Sequence, residues 1–283
     1  TLSKALYLYE EIGDRRNMSY VNFNLGTLNF LKGYYVEAKN YYEKAINLCR
    51  ETNNPYVESS ALGYLGGTLQ NVGLYHEAKT LFEEALQLNR KVGNRNEEKY
   101  TLSNLSELHL HLGDYQEAKE FAKSALQLAQ ELKDKQIESH AFVLLGHITS
   151  ELKQYKEAET AYKSALDLRD KQEKAKLEPL AGLALATLAQ NKLEDALQNA
   201  TAILTFAENA EDIQSTPDVL KAYLHCYQVL SQQKDARANE ILNKAYGLLQ
   251  KALAKIPDEK MGYSFLNNVE VNKQIVEAYQ LKE

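Results

Sequence analysis

One phrase of about eighteen residues occurs four times in this chain, and each copy begins 40 residues after the previous one. The copies are GYYVEAKNYYEKAINLCR from Gly33, GLYHEAKTLFEEALQLNR from Gly73, GDYQEAKEFAKSALQLAQ from Gly113 and KQYKEAETAYKSALDLRD from Lys153. Self-similarity at a fixed period of about 20–50 residues is the signature of repeat architectures, in which each unit packs on its neighbours. This repeat constrains the fold more than any other feature of the sequence.

Small residues recur at fixed places in every copy. Glu-Ala pairs stand at 37–38, 77–78, 117–118 and 157–158, and a second alanine follows seven residues later as Ala45, Ala85, Ala125 and Ala165. Upstream of each phrase a leucine precedes a small residue, in Leu25-Gly26, Leu65-Gly66, Leu105-Ser106 and Leu145-Gly146. Small side chains at these spacings let two helix backbones approach closely, so each copy is expected to be a packed helix pair.

The two helices of each copy are joined by a very short turn. The first helix, such as 20–32 or 100–112, is predicted to end where Gly33, Gly73 or Gly113 adopts a positive φ. The second starts at once and runs to a breaker, TNNP at 52–55, VGN at 92–94 or LKD at 132–134. A one- or two-residue turn forces antiparallel packing. A continuous coiled coil is excluded, because glycines and breakers interrupt any sustained heptad pattern.

These residues resemble the tetratricopeptide repeat (TPR) family. The family pattern of Leu-Gly, then Gly-x-Tyr-x-x-Ala and a second alanine, stands here as Leu25-Gly26, the segment 33–38 and Ala45. A 40-residue unit is similar to the long variant found in Pins-type scaffolds, in kinesin light chains and in the C-terminal sensor arrays of bacterial signal-transduction ATPases. The resemblance implies an all-α fold, a right-handed superhelical solenoid of antiparallel helix pairs.

The same alignment divides the chain into four segments. Residues 1–17 align with the second helix of a repeat, so we expect the chain to be cut from a longer protein. Residues 18–172 form a regular core of four repeats, and residues 173–256 hold two divergent repeats in which Ala184 and Asn191 replace the two glycines and Cys226 takes the close-packing position. Residues 257–283 are expected to form a closing helix over the last repeat.

The resemblance also implies a binding groove, because the first helices of a TPR array line its concave side and hold extended peptides or partner helices. Helical phase and the family pattern together select the groove residues, which are Tyr20, Phe23, Asn24, Thr27, Tyr64, Tyr100, Asn104, Glu107, His111 and His147. A carboxamide both donates and accepts hydrogen bonds, so Asn24 and Asn104 suit recognition of a peptide backbone. The alternative is that both asparagines cap local hydrogen bonds on a solvated face.

The aromatic residues and histidines of the groove can be interpreted either as ligand contacts or as structural residues. The groove aromatics could present a contact surface with little entropy to lose, or could pack between helices. The tyrosines at 35, 75, 115 and 155 are predicted to be packing residues. The six histidines lack the i, i+4 pairing of helical zinc sites, so no metal site is predicted, and a polar or pH-responsive groove wall is favoured instead.

Composition and motifs exclude several classes of function. The net charge is −6 without a long Lys/Arg run, which argues against direct nucleic-acid binding. No apolar stretch is long enough to span a membrane. Two distant cysteines form no disulfide framework or metal motif, which indicates a reducing, cytoplasmic location. No nucleophile motif, phosphate-binding loop or catalytic carboxylate pair occurs, so neither an enzyme nor a cofactor is expected.

Two functions remain open at this stage. The first is a module that binds a protein or peptide partner in the concave groove, as part of a larger regulatory or signalling protein. The second is a structural spacer or oligomerisation scaffold without a specific groove ligand. Copies of the chain would then contact each other through exposed outer faces or open ends. The apolar residues Leu2, Leu6 and Leu8 at the open N-terminal end could also pair two copies artificially.

Overall fold

The computed structural model describes residues 2–169, 174–209 and 217–282, which contain fifteen α-helices, a short 3-10 helix at Lys174–Lys176 and no strand. The helices are α1 Leu2–Ile12, α2 Arg15–Lys32, α3 Tyr35–Glu51, α4 Pro55–Asn71, α5 Tyr75–Val92, α6 Arg95–Leu112, α7 Tyr115–Glu131, α8 Lys135–Glu151, α9 Tyr155–Leu168, α10 Leu177–Ala189, α11 Leu193–Asn209, α12 Pro217–Gln232, α13 Ala238–Leu253, α14 Glu259–Asn267 and α15 Glu270–Gln280. The predicted all-α helical repeat fold is confirmed.

Six helix pairs from α2/α3 to α12/α13 form the stack, and we number them repeats 1 to 6. The first helix of each repeat contacts the first helix of the next, from α2 with α4 through to α10 with α12. The second helices pack chiefly against the first helices on either side of them. The first helices therefore form the inner wall of the solenoid, as neighbouring units do in stacked repeat proteins.

The turns have the backbone conformation that the sequence predicts. Within repeats 1 to 3, the glycine after the first helix is left-handed, with φ of 78° at Gly33, 77° at Gly73 and 79° at Gly113. Each breaker between repeats also contains one left-handed residue, with φ of 50° at Asn53, 70° at Gly93 and 58° at Lys133. A single residue in this conformation reverses the chain at a helix end, which explains how such short turns hold the pairs antiparallel.

The first helices are longer than predicted, because α2 begins at Arg15 and α6 at Arg95, five residues before the expected starts. A side chain caps the new start, since Asp14 accepts from the Asn17 backbone N–H at 3.0 Å and Asn94 accepts from the Glu97 backbone N–H at 3.3 Å. Such caps satisfy free N–H groups in the first turn, so the helix begins directly after the breaker. The expected segment boundary at 17/18 therefore falls inside α2.

The recurring glycine of the first helix lies against an aromatic ring of the second. A Cβ added at Gly26 would lie 2.6 Å from the Tyr42 ring, and one at Gly66 would lie 2.7 Å from the Phe82 ring. Both rings are fully buried. Repeat 3 replaces this pair with Ser106, whose hydroxyl donates to the Ala118 carbonyl at 2.9 Å. The small residue in each copy thus makes room for its own neighbour on the second helix.

We expect Gly66→Ala to destabilise the protein by about 1–3 kcal/mol, because the added methyl overlaps the buried Phe82 ring. The adjacent Gly67 is the matched control, since nothing lies within 4 Å of a Cβ added there. Gly67→Ala should instead stabilise the helix by about 0.5–1 kcal/mol, as alanine does in place of a helix-interior glycine. Urea unfolding of the two variants measures the difference. A stable Gly66→Ala protein together with a destabilised Gly67→Ala protein would contradict this packing.

The divergent repeats keep the same packing logic with other residues. Asn191 ends α10 with a φ of 61°, so it supplies the left-handed turn where the glycine is missing. Cys226 is fully buried, and its Sγ lies 3.5 Å from the Ala200 carbonyl oxygen. The expected segment boundary at 172/173 touches residues that lie outside the described ranges. The expected single closing helix was wrong, because residues 259–280 form two helices, α14 and α15.

The two ends of the array contact each other through polar groups. The Lys260 Nζ of α14 lies 3.0 Å from Glu77 Oε1 of α5, and Asn268 Nδ2 donates to the Gly73 carbonyl at 3.2 Å. These pairs join residues 183 and 195 positions apart in the sequence. A straight row of repeats brings together only neighbouring units. This chain therefore curves far enough for its C-terminal helices to reach repeats 1 and 2, an arrangement we call the closure.

Apolar side chains also take part in the closure. Tyr35 and Val72, at the turn-side ends of repeats 1 and 2, belong to the same buried cluster as Met261 and Phe265 of α14. Val72 is fully buried although it stands at the end of a helix. Removal of this surface from water adds a hydrophobic contribution to contacts that would otherwise be exposed ion pairs and hydrogen bonds.

Candidate functional site

The closure encloses a cavity of about 950 Å³ on the inner side of the solenoid. Its walls come from the first helices of repeats 1 to 4, from the turn into α3 and from both helices of repeat 6. The lining residues are Phe30, Leu31, Lys32, Gly33, Tyr34, Tyr35, Asn71, Glu107, His140, Pro217, Asp218, Leu248, Lys251, Ala252, Ala254 and Lys255. Ligand cavities of about 300–1,000 Å³ are typical of small-molecule and cofactor sites. We call this space the central cavity.

Charges of both signs line the central cavity. Lys255 on the repeat 6 side donates to the Lys32 carbonyl at 2.9 Å and lies 5.7 Å from the centroid of the Tyr34 ring. Glu107 and Asp218 supply carboxylates from α6 and α12. Apolar surface lines the cavity as well, with Leu31 and Tyr34 exposed. The cavity therefore combines apolar contact area with both signs of charge.

Tyr64 is the centre of an aromatic group further along the inner wall. The Phe23 and Phe30 rings meet the Tyr64 ring nearly edge-on, with centroids 5.4 and 6.1 Å away. Edge-to-face contacts of this kind fix a ring in one orientation. Tyr64 nevertheless stays 38% exposed, and nothing lies within 4 Å of a Cβ added at Gly63 or Gly67 beside it. The ring is thus held in place with open space on both sides.

The remaining polar groove residues differ in how much of their hydrogen bonding is used. Asn24 is exposed and Asn104 half-buried, and neither carboxamide makes a hydrogen bond within the described residues. Thr27, in contrast, donates to the Phe23 carbonyl at 3.1 Å and accepts from the Tyr42 hydroxyl at 3.3 Å. Tyr20 and Tyr100 are each 41% exposed. The asparagines and these tyrosines keep surface available to a ligand, while Thr27 is engaged by the wall.

Glu107 and His111 meet Gln70 and Tyr75 at a second, smaller cavity of about 50 Å³. Gln70 Nε2 donates to Glu107 Oε2 at 2.9 Å, and the Tyr75 and His111 rings stack with centroids 5.0 Å apart. Burial lowers the pKa of His111. Gln70 is 6% exposed, and its Oε1 is buried without a hydrogen-bond partner in the described part of the chain.

His147 lies inside the wall rather than on its surface, because it is 9% exposed and both ring nitrogens are bonded. Nε2 lies 3.0 Å from Glu178 Oε1, and Nδ1 lies 2.7 Å from the Tyr162 hydroxyl. Burial lowers the pKa of His147, so the ring is neutral near pH 7. Since the ionised Glu178 can only accept, Nε2–H donates to it and Nδ1 accepts from Tyr162. His147 therefore positions Glu178.

Glu178 is the hub of a buried charge network. Burial opposes its ionisation, but the Lys221 ammonium at 3.1 Å and the His147 hydrogen bond outweigh burial and hold the Glu178 pKa well below its usual range. The Glu178 carboxylate in turn outweighs burial at Lys221 and raises the pKa of that ammonium. The negative charge of Glu178 also raises the pKa of Asp218 to about 7. Two carboxylates therefore share one region of the wall.

Within the described ranges, no three His, Cys, Asp or Glu side chains are grouped so that they could hold a metal ion. None of the described helices is both long and apolar enough to cross a lipid bilayer.

The MalT-like TPR region family model matches residues 13–252 of the chain. The chain belongs to this family. Comparison with curated protein sequences gave no significant match. The match to the family model spans the six repeats, including the two divergent ones. It confirms the TPR assignment made from the Leu-Gly and Gly-x-Tyr-x-x-Ala pattern.

Solved structures share the fold of this MalT-like TPR region at low sequence identity. A Rap protein complexed with Competence and Sporulation Factor has a TM-score of 0.65 and 16% identity, over 94% of this chain and 76% of that one. NprR in complex with its cognate peptide NprX has the same score and identity, over 98% and 82%. A signal-transduction ATPase with a TPR sensor from Pyrococcus horikoshii has a TM-score of 0.64 and 20% identity, over 92% of this chain and 42% of that protein.

The central cavity of the MalT-like TPR region contains few of the residues selected from sequence. Of the ten predicted groove residues, Glu107 lines it, and His111 lines the smaller cavity beside it. Lys32, Asn71, Asp218, Lys251 and Lys255 were missed. Helical phase identifies residues on the inner face of the first helices, but Lys251 and Lys255 belong to a second helix and its end. Only the closure brings them to the groove.

Proposed function

We propose that this chain is a binding module that holds a peptide, or a peptide segment of a protein partner, along the inner wall of its solenoid. The central cavity carries the proposal, because it is large, lies on the inner wall and combines apolar surface with fixed charges. The proposed contacts are Tyr20, Phe23, Asn24, Thr27, Tyr64, Tyr100, Asn104, Glu107 and His111, joined by the cavity residues Leu31, Tyr34 and Asp218. His147 is not proposed as a ligand contact, because it lies inside the wall and positions Glu178 through a hydrogen bond.

The chemistry of the wall suits an extended peptide. The free carboxamides of Asn24 and Asn104 can each donate to and accept from a peptide unit whatever its side chain. Tyr64 offers a ring whose orientation is already fixed, so its contact with a ligand loses little entropy. The fold itself is typical of interaction scaffolds, and we propose that the chain binds its partner without transforming it.

Two structural neighbours were solved with a bound partner, and for one of them that partner is a peptide. Rap was solved with Competence and Sporulation Factor, and NprR was solved with its cognate peptide NprX. Both share the fold across most of this chain, although their low identity carries no residue-level correspondence. Taken with the central cavity, these complexes favour a peptide over a nucleic acid or a metabolite as the occupant.

A pair of alanine-to-tryptophan variants tests the proposal. Ala254 lines the central cavity and is exposed, whereas Ala202 is exposed on the second helix of repeat 5. Random heptapeptides displayed on phage are selected on the immobilised protein, and enriched sequences are synthesised and titrated by calorimetry. We expect Ala254→Trp to weaken binding at least about tenfold, because the indole occupies ligand space, while Ala202→Trp leaves binding unchanged.

Equal binding by the two tryptophan variants would show that the peptides bind elsewhere. The second candidate function, a scaffold joined through its outer surface, is favoured by α1, in which no residue is buried and Ile12 is 72% exposed. Association through α1 does not involve the central cavity, so it should survive Ala254→Trp. The same pair of variants therefore separates the two functions.

A further inference from the structure

A third cavity, of about 350 Å³, adjoins the central cavity where repeats 4, 5 and 6 meet. His140 and Asp218 line both cavities, so the third cavity and the central cavity meet at these two side chains. Glu178 lines the third cavity together with them. None of the three residues at this junction, His140, Glu178 and Asp218, is among the predicted groove residues or the Tyr64 group.

One oxygen of Glu178 is left without a partner at the junction. Both of its donors, His147 Nε2 at 3.0 Å and Lys221 Nζ at 3.1 Å, bind Oε1, and Oε2 makes no hydrogen bond within the described residues. The side chain is more than nine-tenths buried. A carboxylate oxygen is a strong hydrogen-bond acceptor, and Oε2 has free capacity to accept. The position of Glu178 in the cavity wall means that a ligand could supply the missing donor.

Asp218 is the second acceptor without a donor. Its side chain is exposed to the cavities and forms no hydrogen bond or ion pair among the described residues. The nearby cations are engaged elsewhere, since Lys221 binds Glu178, Lys135 lies 2.7 Å from Glu138, and Arg169 donates to a backbone carbonyl. The neighbouring charge of Glu178 makes ionisation of Asp218 unfavourable, as its raised pKa shows. A cation placed between the two carboxylates would relieve this repulsion.

We propose that Asp218 and Glu178 Oε2 form a subsite for a cationic group of the bound peptide, an ammonium or a guanidinium. The proposal rests on the proposed groove function and adds the chemistry of one ligand position. An organic cation fits better than a metal ion, because no third His, Cys, Asp or Glu in the described ranges completes a coordination sphere. Such a group has several N–H donors, enough for both carboxylates.

The test uses the displayed heptapeptide library with three variants. Asp218→Asn removes the charge at the junction, Asp218→Glu retains it, and Asp195→Asn is the matched control, since Asp195 is also an exposed aspartate in the first turn of a helix. Peptides selected on the wild-type protein should be enriched in lysine or arginine at one position. Asp218→Asn should weaken their binding about 10- to 100-fold, as expected for a lost charged hydrogen bond, and Asp218→Glu should restore part of it.

The outcomes distinguish this inference from the function on which it rests. Selected peptides that lack a basic residue, or basic peptides that bind Asp218→Asn and wild type equally, overturn the subsite while leaving groove binding intact. Selected peptides insensitive to Ala254→Trp overturn groove binding itself. N-acetylated copies of the peptides show whether the cation is a side chain or the terminal amine. Thermal melts at pH 8 control for folding, because Asp218→Asn removes a repelled charge and should not lower stability.

Discussion

Tyr162→Ala is expected to destabilise the protein by about 3–5 kcal/mol and to lower its melting temperature by roughly 10 °C. The Tyr162 ring is 1% exposed and lies between two first helices, since a Cβ added at Gly146 or Gly182 would come within 2.5 or 2.3 Å of it. Truncation to alanine leaves a cavity that neither glycine can fill. Loss of the ring should also loosen His147, and with it the wall that carries Glu178.

Two further variants separate the ring from its hydroxyl. Tyr162→Phe keeps the packing but leaves the buried Nδ1 of His147 without a donor, which should cost about 1–3 kcal/mol. Tyr263→Ala is the surface control, because Tyr263 is 70% exposed, and its effect should stay within about 0.5 kcal/mol. Denaturant unfolding of the three variants should show the largest loss of stability for Tyr162→Ala, a smaller loss for Tyr162→Phe and the smallest for Tyr263→Ala. Similar values for Tyr162→Ala and Tyr263→Ala would refute the packing described for repeats 4 and 5.

Gly73→Ala is expected to open the closure. The variant should change the overall shape of the protein and not only the stability of one repeat. A Cβ at Gly73 would lie 2.8 Å from Asn268 Cβ and 3.0 Å from the Ser264 carbonyl oxygen, so α14 must move away. Gly113 is the matched control, because it has the same left-handed backbone and nothing within 4 Å of its added Cβ. Both variants carry the left-handed cost of about 1 kcal/mol, but only Gly73→Ala displaces the C-terminal helices.

Small-angle scattering and hydrogen exchange measure this difference. The radius of gyration should rise in Gly73→Ala and stay at the wild-type value in Gly113→Ala. Backbone amides of α14 should also exchange faster in Gly73→Ala, since local opening becomes easier when its contacts with repeats 1 and 2 are lost. Identical scattering curves for the two variants would mean that the closure does not persist in solution.

The local structure of the repeats could be predicted from sequence because it depends on local interactions. Left-handed glycines such as Gly33 and close-packing glycines such as Gly26 have backbone or steric roles that no larger residue fills, so their recurrence at 40 residues identifies turns and helix contacts. The helix starts were placed too late, because the capping role of Asp14 and Asn94 was not recognised in the breakers.

The candidate site could be predicted only in part, since its enclosing walls depend on curvature. Each repeat adds a small rotation, and the sum over six repeats decides whether Lys255 ever approaches Lys32. No local pattern encodes that sum. The place of Asp218 in the cavity wall could not be predicted for another reason. A proline followed by an acidic residue is an ordinary start of a helix, so the sequence indicates only a helix N-terminus there. His147 was assigned to the groove surface because helical phase does not show which inner residues are covered by a neighbouring repeat.

The contacts between α14 and the first repeats have a consequence for biosynthesis. Helix pairs can stack one after another as they leave the ribosome, but Tyr35 and Val72 share a buried cluster with Met261 and Phe265, which are synthesised much later. Bringing together groups some two hundred residues apart requires a long loop to close, which slows the last step of folding. Until α14 has left the ribosome, the nascent protein therefore presents an exposed apolar surface that chaperones would recognise.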